Sequence, residues 1–175
     1  KRVVVMNGFK EIDPRDLGEN FIEAIGGEWM LITAGDHVSH NTMTASWGGV
    51  GVMWGHPVAT VVIRPQRYTF RFTERCDTLT LSFLGKERRE ALAYCGSHSG
   101  RDEDKIRNAG LSVEFTDGDT PAIAQARLVL ECRKLYSDDL KADRFVDRTI
   151  VDRWYPEKDF HKVYVLQIVR AYVKE

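Results

Sequence analysis

Asn41-Thr-Met-Thr-Ala-Ser-Trp47-Gly-Gly49 and, shortly after it, Val58-Ala-Thr-Val-Val-Ile63-Arg64-Pro65 decide how this chain folds. In the first stretch an extended backbone puts Thr42, Thr44 and Ser46 on one face and Met43, Ala45 and Trp47 on the other. The two glycines then end that strand. The second stretch is apolar on both faces, as expected of a central strand. It runs into Pro65, which suits the first position of a short helix reaching about residue 75. Two strands thus follow one another with no long helix between them.

The same alternation extends outward. Asp13-Pro14 opens a helical pattern with Leu17, Phe21, Ile22 and Ile25 at helical spacing, and Gly26-Gly27 stops it. Residues 29–33 read as a strand, as do 78–84, 113–115, 126–136 and 163–173. Residues 86–94 and 101–109 read as helices, the second closed by Gly110. Roughly six or seven strands with short helices between them argue against a doubly wound parallel sheet. The expected fold is mainly β (α+β), an antiparallel barrel with short helical insertions. No internal repeat and no Gly/Ser/Pro linker divides residues 1–175, so one domain is expected.

Composition narrows the function. Hydrophobic residues make up 43% and charged residues 29%, which is ordinary for a folded globular chain and excludes global disorder. The net charge is −1, so there is no general electrostatic reason to bind nucleic acid or an anionic membrane, and any bound anion needs a local cluster. No apolar run reaches the roughly 20 residues of a membrane helix. The start, Lys1-Arg2-Val3-Val4-Val5-Met6, is basic then apolar but breaks at Asn7-Gly8, too short for a signal-peptide core. Cys76, Cys95 and Cys132 are odd in number and form no C-x-x-C pair, so a reducing, cytoplasmic setting is expected.

Three segments ask for an anion or a flat ligand. Residues 42–47 offer hydroxyls on one face and a sulfur, a small gap and an indole on the other, although an ordinary amphipathic strand gives the same pattern. Arg64 and Arg67 crowd the expected N-terminus of the Pro65 helix, where positive charge is unfavourable unless a phosphate or carboxylate sits there. Solvated arginines, or pairs with Glu74 or Asp77, are the alternative. In Cys95-Gly-Ser97-His-Ser99-Gly-Arg101-Asp-Glu-Asp-Lys105, Ser99 suits an N-cap with Asp102 three residues on, and Lys105 and Arg101 can reach a phosphate from the side. His37-x-x-His40 is half a metal site without a partner, so no metal is expected. Cys95 with His98 nearby is a candidate nucleophile lacking an acidic orienter. Neither a dinucleotide fingerprint nor a P-loop is present.

Taken in order, residues 41–49, 57–69 and 95–105 resemble the flavin reductase-like, FMN-binding split-barrel proteins, and the flavoredoxin-type branch in particular. The resemblance runs from about Trp29 to the C-terminus. It implies a Greek-key split barrel with one FMN per subunit, in a homodimer with the flavin near the subunit interface. Carried over, Thr42, Met43, Thr44, Ala45, Ser46 and Trp47 run beside the isoalloxazine and ribityl chain. Arg64, Arg67, Tyr68 and Thr69 hold the phosphate end, one arginine touching the phosphate and the other free to form an ion pair, with the choice between them open, and Ser97, Ser99 and Lys105 complete that pocket. The flavin accepts a hydride at N5 and returns one or two electrons, so no catalytic side chain is required. His161 and Trp154 are candidate neighbours of the open face. The implied activity is NADH- or NADPH-dependent flavin reduction. A flavoredoxin-like electron carrier reduced by a partner protein is the alternative, as is a binding module without reductase activity.

Overall fold

The computed structural model describes residues 6–175; the basic start of the chain, residues 1–5, lies outside the described residues. Ten strands form, in chain order β1 (Phe9–Ile12), β2 (Met30–Gly35), β3 (His40–Ala45), β4 (Gly48–Met53), β5 (His56–Ile63), β6 (Thr78–Phe83), β7 (Val113–Phe115), β8 (Pro121–Ile123), β9 (Leu128–Asp139) and β10 (Lys162–Lys174). The helices are α1 (Phe70–Arg75), α2 (Arg89–Ser97), α3 (Lys105–Asn108) and α4 (Thr149–Trp154). Eight strands make one antiparallel sheet in the order β3-β2-β6-β9-β10-β5-β4, with β1 added on β10; β7 and β8 pair separately. This is the antiparallel architecture with short helical insertions that the strand pattern implied, in the split-barrel form that the resemblance implied.

The alternation that builds the strands also sorts the core. Met30, Ile32, Leu79, Leu81, Phe83, Leu128, Leu130 and Cys132 point to one side, where they meet Val61, Ile63, Tyr164 and Leu166 from β5 and β10. Their neighbours Leu31 and Val129 point to the other side and pack on Leu92 and Cys95 of α2, Ile106 of α3 and Ile123 of β8. Both faces of the sheet centre are thereby withdrawn from water, which is the principal stabilising contribution.

Several elements depart from the sequence pattern. Gly48-Gly49 does not end a strand but opens β4, whose backbone pairs with β5 from Gly48↔Val61 to Met53↔His56. The helix expected at Pro65 starts only at Phe70; residues 64–70 form successive tight turns, Arg67 N–H to Arg64 O (3.0 Å) and Phe70 N–H to Arg67 O (3.0 Å). The helix expected over 101–109 shrinks to α3, capped by Asp104, whose side chain accepts from Arg107 N–H, and not by Ser99. Gly26-Gly27 lies inside a single wide π turn, Glu23–Gly27, instead of stopping a helix before it.

Candidate functional site

The two free edges of the sheet, β3 and β4, are consecutive in the chain. Ser46 and Trp47 carry the backbone from one edge to the other, so the seam of the barrel is also a turn of chain. Gly48 makes the entry to β4 feasible: its φ is +144°, and a Cβ there would fall on the Thr60 carbonyl oxygen.

A groove of about 240 Å³ opens along this seam. Residues 43–47 form one wall, and Val62, Trp154 and His161 form the other. The Trp47 indole meets Trp154 edge to face (centroids 4.9 Å) and tilts against the His161 ring (5.2 Å). Both tryptophans stay partly exposed, 38% and 40%, so they form the mouth of the groove. His161 is buried; its Nδ1 lies 2.7 Å from the Tyr155 hydroxyl, and its pKa is pushed down to about 4, by burial first and by the Arg64 guanidinium next. It is a neutral imidazole at pH 7.

Arg67 lines this groove and also a second cavity of about 220 Å³, so the two are joined at its side chain. The second cavity is walled by the turns at Gln66–Thr69, by Gly96–Ser99 at the end of α2, and by Lys105. Lys105 is only 3% exposed. Its Nζ donates to the Cys95 carbonyl (2.9 Å) and the His98 carbonyl (3.1 Å), which leaves one of its three N–H donors free. Burial, and secondly the Arg67 guanidinium, lower its pKa to about 8. Burial lowers Arg67 as well. Neither Arg67 nor Lys105 forms an ion pair among the described residues; Glu103, the carboxylate that acts on Lys105, is engaged by the Tyr94 hydroxyl (2.5 Å) and the Asn108 amide (2.6 Å). Two withdrawn cations facing one cavity without a carboxylate fit an anion carrying two charges.

The hydroxyls expected at the site divide. The Ser99 Oγ accepts from Arg101 N–H (3.1 Å) and keeps its own proton to donate. The Thr69 Oγ accepts from the Asn41 amide (2.9 Å) and likewise retains a proton. Ser97 instead donates back to the Ala93 carbonyl (2.9 Å), and Thr44 donates to the Leu92 carbonyl (2.5 Å), tying the wall of the groove to α2. Tyr68 lies between the Arg71 and Arg101 guanidinium groups, at 4.8 and 5.1 Å.

Two residues lie elsewhere than expected. Thr42 is fully buried and outside the groove, because its hydroxyl is spent on the Thr33 hydroxyl (2.9 Å) and the Ile32 carbonyl (3.1 Å). Arg64 lines the groove but not the second cavity. Asp159 pairs with its guanidinium, the Trp154 carbonyl accepts from Nη2 (2.8 Å), and Tyr155 stacks beneath it at 5.0 Å. Arg64 thus pins the 154–159 segment against the groove. Both arginines line the groove, and only Arg67 also reaches the second cavity. The candidate nucleophile Cys95 is fully buried with a thiol pKa raised by desolvation. His37 is held by Asp119 (2.5 Å) and stacks on Phe115, and no group of three or more metal-ligating side chains occurs among the described residues. Sequence reasoning did not anticipate Val62, Gln66, Gly96 or His98 as lining residues; the first faces the groove through strand parity alone, Gly96 lies in the last turn of α2, and Gln66 and His98 follow from chain reversals that no pattern marks.

The flavin reductase like domain matches residues 23–175. No curated protein matches the chain. Among solved structures, an FMN-binding domain of a flavin reductases-like enzyme from Shewanella baltica OS155 superposes with a TM-score of 0.68 at 18% identity, covering 97% of this chain and 79% of that one. An FMN-binding protein from Thermus thermophilus gives 0.66 at 20%, covering 90% and 76%. Flavoredoxin from Methanosarcina acetivorans gives 0.65 at 23%, covering 85% and 69%. These likenesses show a common fold, and the domain match spans most of the sequence. The chain belongs to the flavin reductase-like split-barrel family.

Proposed function

We propose that this protein binds FMN and serves as an NADH- or NADPH-dependent flavin reductase. The observation that carries the reading is the Arg67–Lys105 pair, two partly desolvated cations with no carboxylate between them, at one end of a flat-walled groove. Arg67, Lys105, Ser99 and Thr69 would hold the phosphate. The backbone and side chains of residues 43–47, with Trp154 and His161, would take the ring system. Bound FMN supplies the exchange of one or two electrons. The chain supplies charge at the phosphate, a fixed indole wall, a neutral imidazole and partial exclusion of water by the Arg64-anchored segment. The members named above as an FMN-binding domain, an FMN-binding protein and a flavoredoxin support the cofactor assignment.

A flavoredoxin-like electron carrier is the second reading, favoured by the two tryptophans exposed at the groove mouth, where a redox protein could approach. Anaerobic stopped-flow spectroscopy separates the two. Rapid bleaching of the flavin-loaded protein by NADH or NADPH is the expected result. Bleaching by dithionite but not by either nucleotide selects the carrier. Failure to take up FMN overturns both. Pairing of two copies is proposed through the β4–β5 hairpin, supported by exposed Val52, Met53 and Trp54 at its tip.

A further inference from the structure

Resting on the reading of the groove as a flavin seat, we propose that His161 is its neutral hydrogen-bond donor. The Nε2–H bonds a carbonyl oxygen of the ring system bound against Trp47, and Tyr155 is the positioning residue that fixes this tautomer. His161 precedes β10 and is 8% exposed, and it lines the groove. Its Nδ1 is engaged by the Tyr155 hydroxyl at 2.7 Å; its Nε2 has no partner among the described residues, yet is not sealed from solvent. Tyr155 is itself buried and its hydroxyl has no other acceptor among the described residues, so the phenol proton is directed to Nδ1. An imidazole that accepts at Nδ1 carries its proton at Nε2.

The remaining polar groups of the groove make this donor distinctive. Arg64 is committed to Asp159 and the Trp154 carbonyl, and Arg67 faces the second cavity as well as the groove. A neutral N–H beside an indole suits a neutral carbonyl acceptor on a flat ring more than an anion. A flat ring seated in the groove displaces the water that Nε2–H can otherwise reach, and a ring carbonyl then answers the donor.

The test uses the full chain labelled with 15N-histidine. His161 is assigned by its loss in His161→Gln, and long-range proton–nitrogen spectra are recorded without and with FMN. The expected result is an unprotonated Nδ1 and a protonated Nε2 near neutral pH, a mixture of tautomers in Tyr155→Phe, and a displaced Nε2 signal when FMN is added. His161→Phe is expected to weaken FMN binding roughly tenfold, with His161→Gln, which keeps a side-chain N–H, closer to wild type. A protonated Nδ1 overturns the proposal. So does wild-type binding of FMN that leaves the Nε2 signal unmoved, or equal affinity in His161→Phe. A wild-type protein that binds no FMN overturns the reading of the groove itself, a separate result from the other three.

Discussion

Lys105 and Arg67 repel one another, and no carboxylate of the described residues pairs with either. That makes them the side chains with most to gain from an anion. Arg67→Ala and Lys105→Ala are each expected to weaken FMN binding by about 1–3 kcal/mol in a fluorescence-quenching titration. Arg64→Ala is expected to leave the phosphate contribution intact, so riboflavin and FMN affinities should change together in that variant. The pH dependence has a definite sign. The folded pKa of Lys105, about 8, lies below its ordinary 10.5. Charged Lys105 therefore burdens the ligand-free fold, fully so below pH 8, and the burden lifts as pH rises from 8 towards 10.5. A doubly negative ligand needs the charged form. FMN affinity is expected to weaken as pH rises above 8, with proton uptake on binding there, and calorimetry in buffers of different ionisation heat checks it.

At the level of the element, the short turn between β3 and β4 matters most. Gly48 combines a φ of +144° with backbone directly where a Cβ would sit. Gly48→Ala is expected to destabilise the fold by about 1–3 kcal/mol, read by urea denaturation, and to distort the Trp47 wall. This turn is also where sequence reading and structure part. Alternation located β2, β3, β5, β6, β9 and β10 because each buries at least one face, and burial is what the pattern records. The pattern missed β4, since Gly48, Gly49 and Gly51 carry no side chain to alternate, and its order comes from pairing with β5. It missed the tight turns at 64–70 because Pro65 suits a turn as well as a helix start. The sequence segments dense in cations and hydroxyls do converge: Arg67, Tyr68, Thr69, Ser97, Ser99 and Lys105 all line one cavity. Which of the two arginines forms the ion pair was not legible, because the partner of Arg64, Asp159, is distant in sequence and lies on a loop.

For the whole molecule, the exposed tip of the β4–β5 hairpin is the surface to test. If two copies pair there, Val52→Lys is expected to convert the dimer to a monomer by light scattering while leaving the fold, followed by circular dichroism, unchanged. The other free edge, β3, is partly covered by α2 through the Thr44–Leu92 hydrogen bond. Between these edges β10 is an interior strand, paired with β9, β5 and β1. Of these four strands β10 is the last in chain order, so it leaves the ribosome after β1, β5 and β9. Until it emerges, β5 and β9 both expose unpaired backbone, and His161 and Trp154 have no wall to complete. The nascent chain is thus open to strand-to-strand aggregation until β10 appears, and the proposed ligand seat forms only once β10 has docked between β5 and β9.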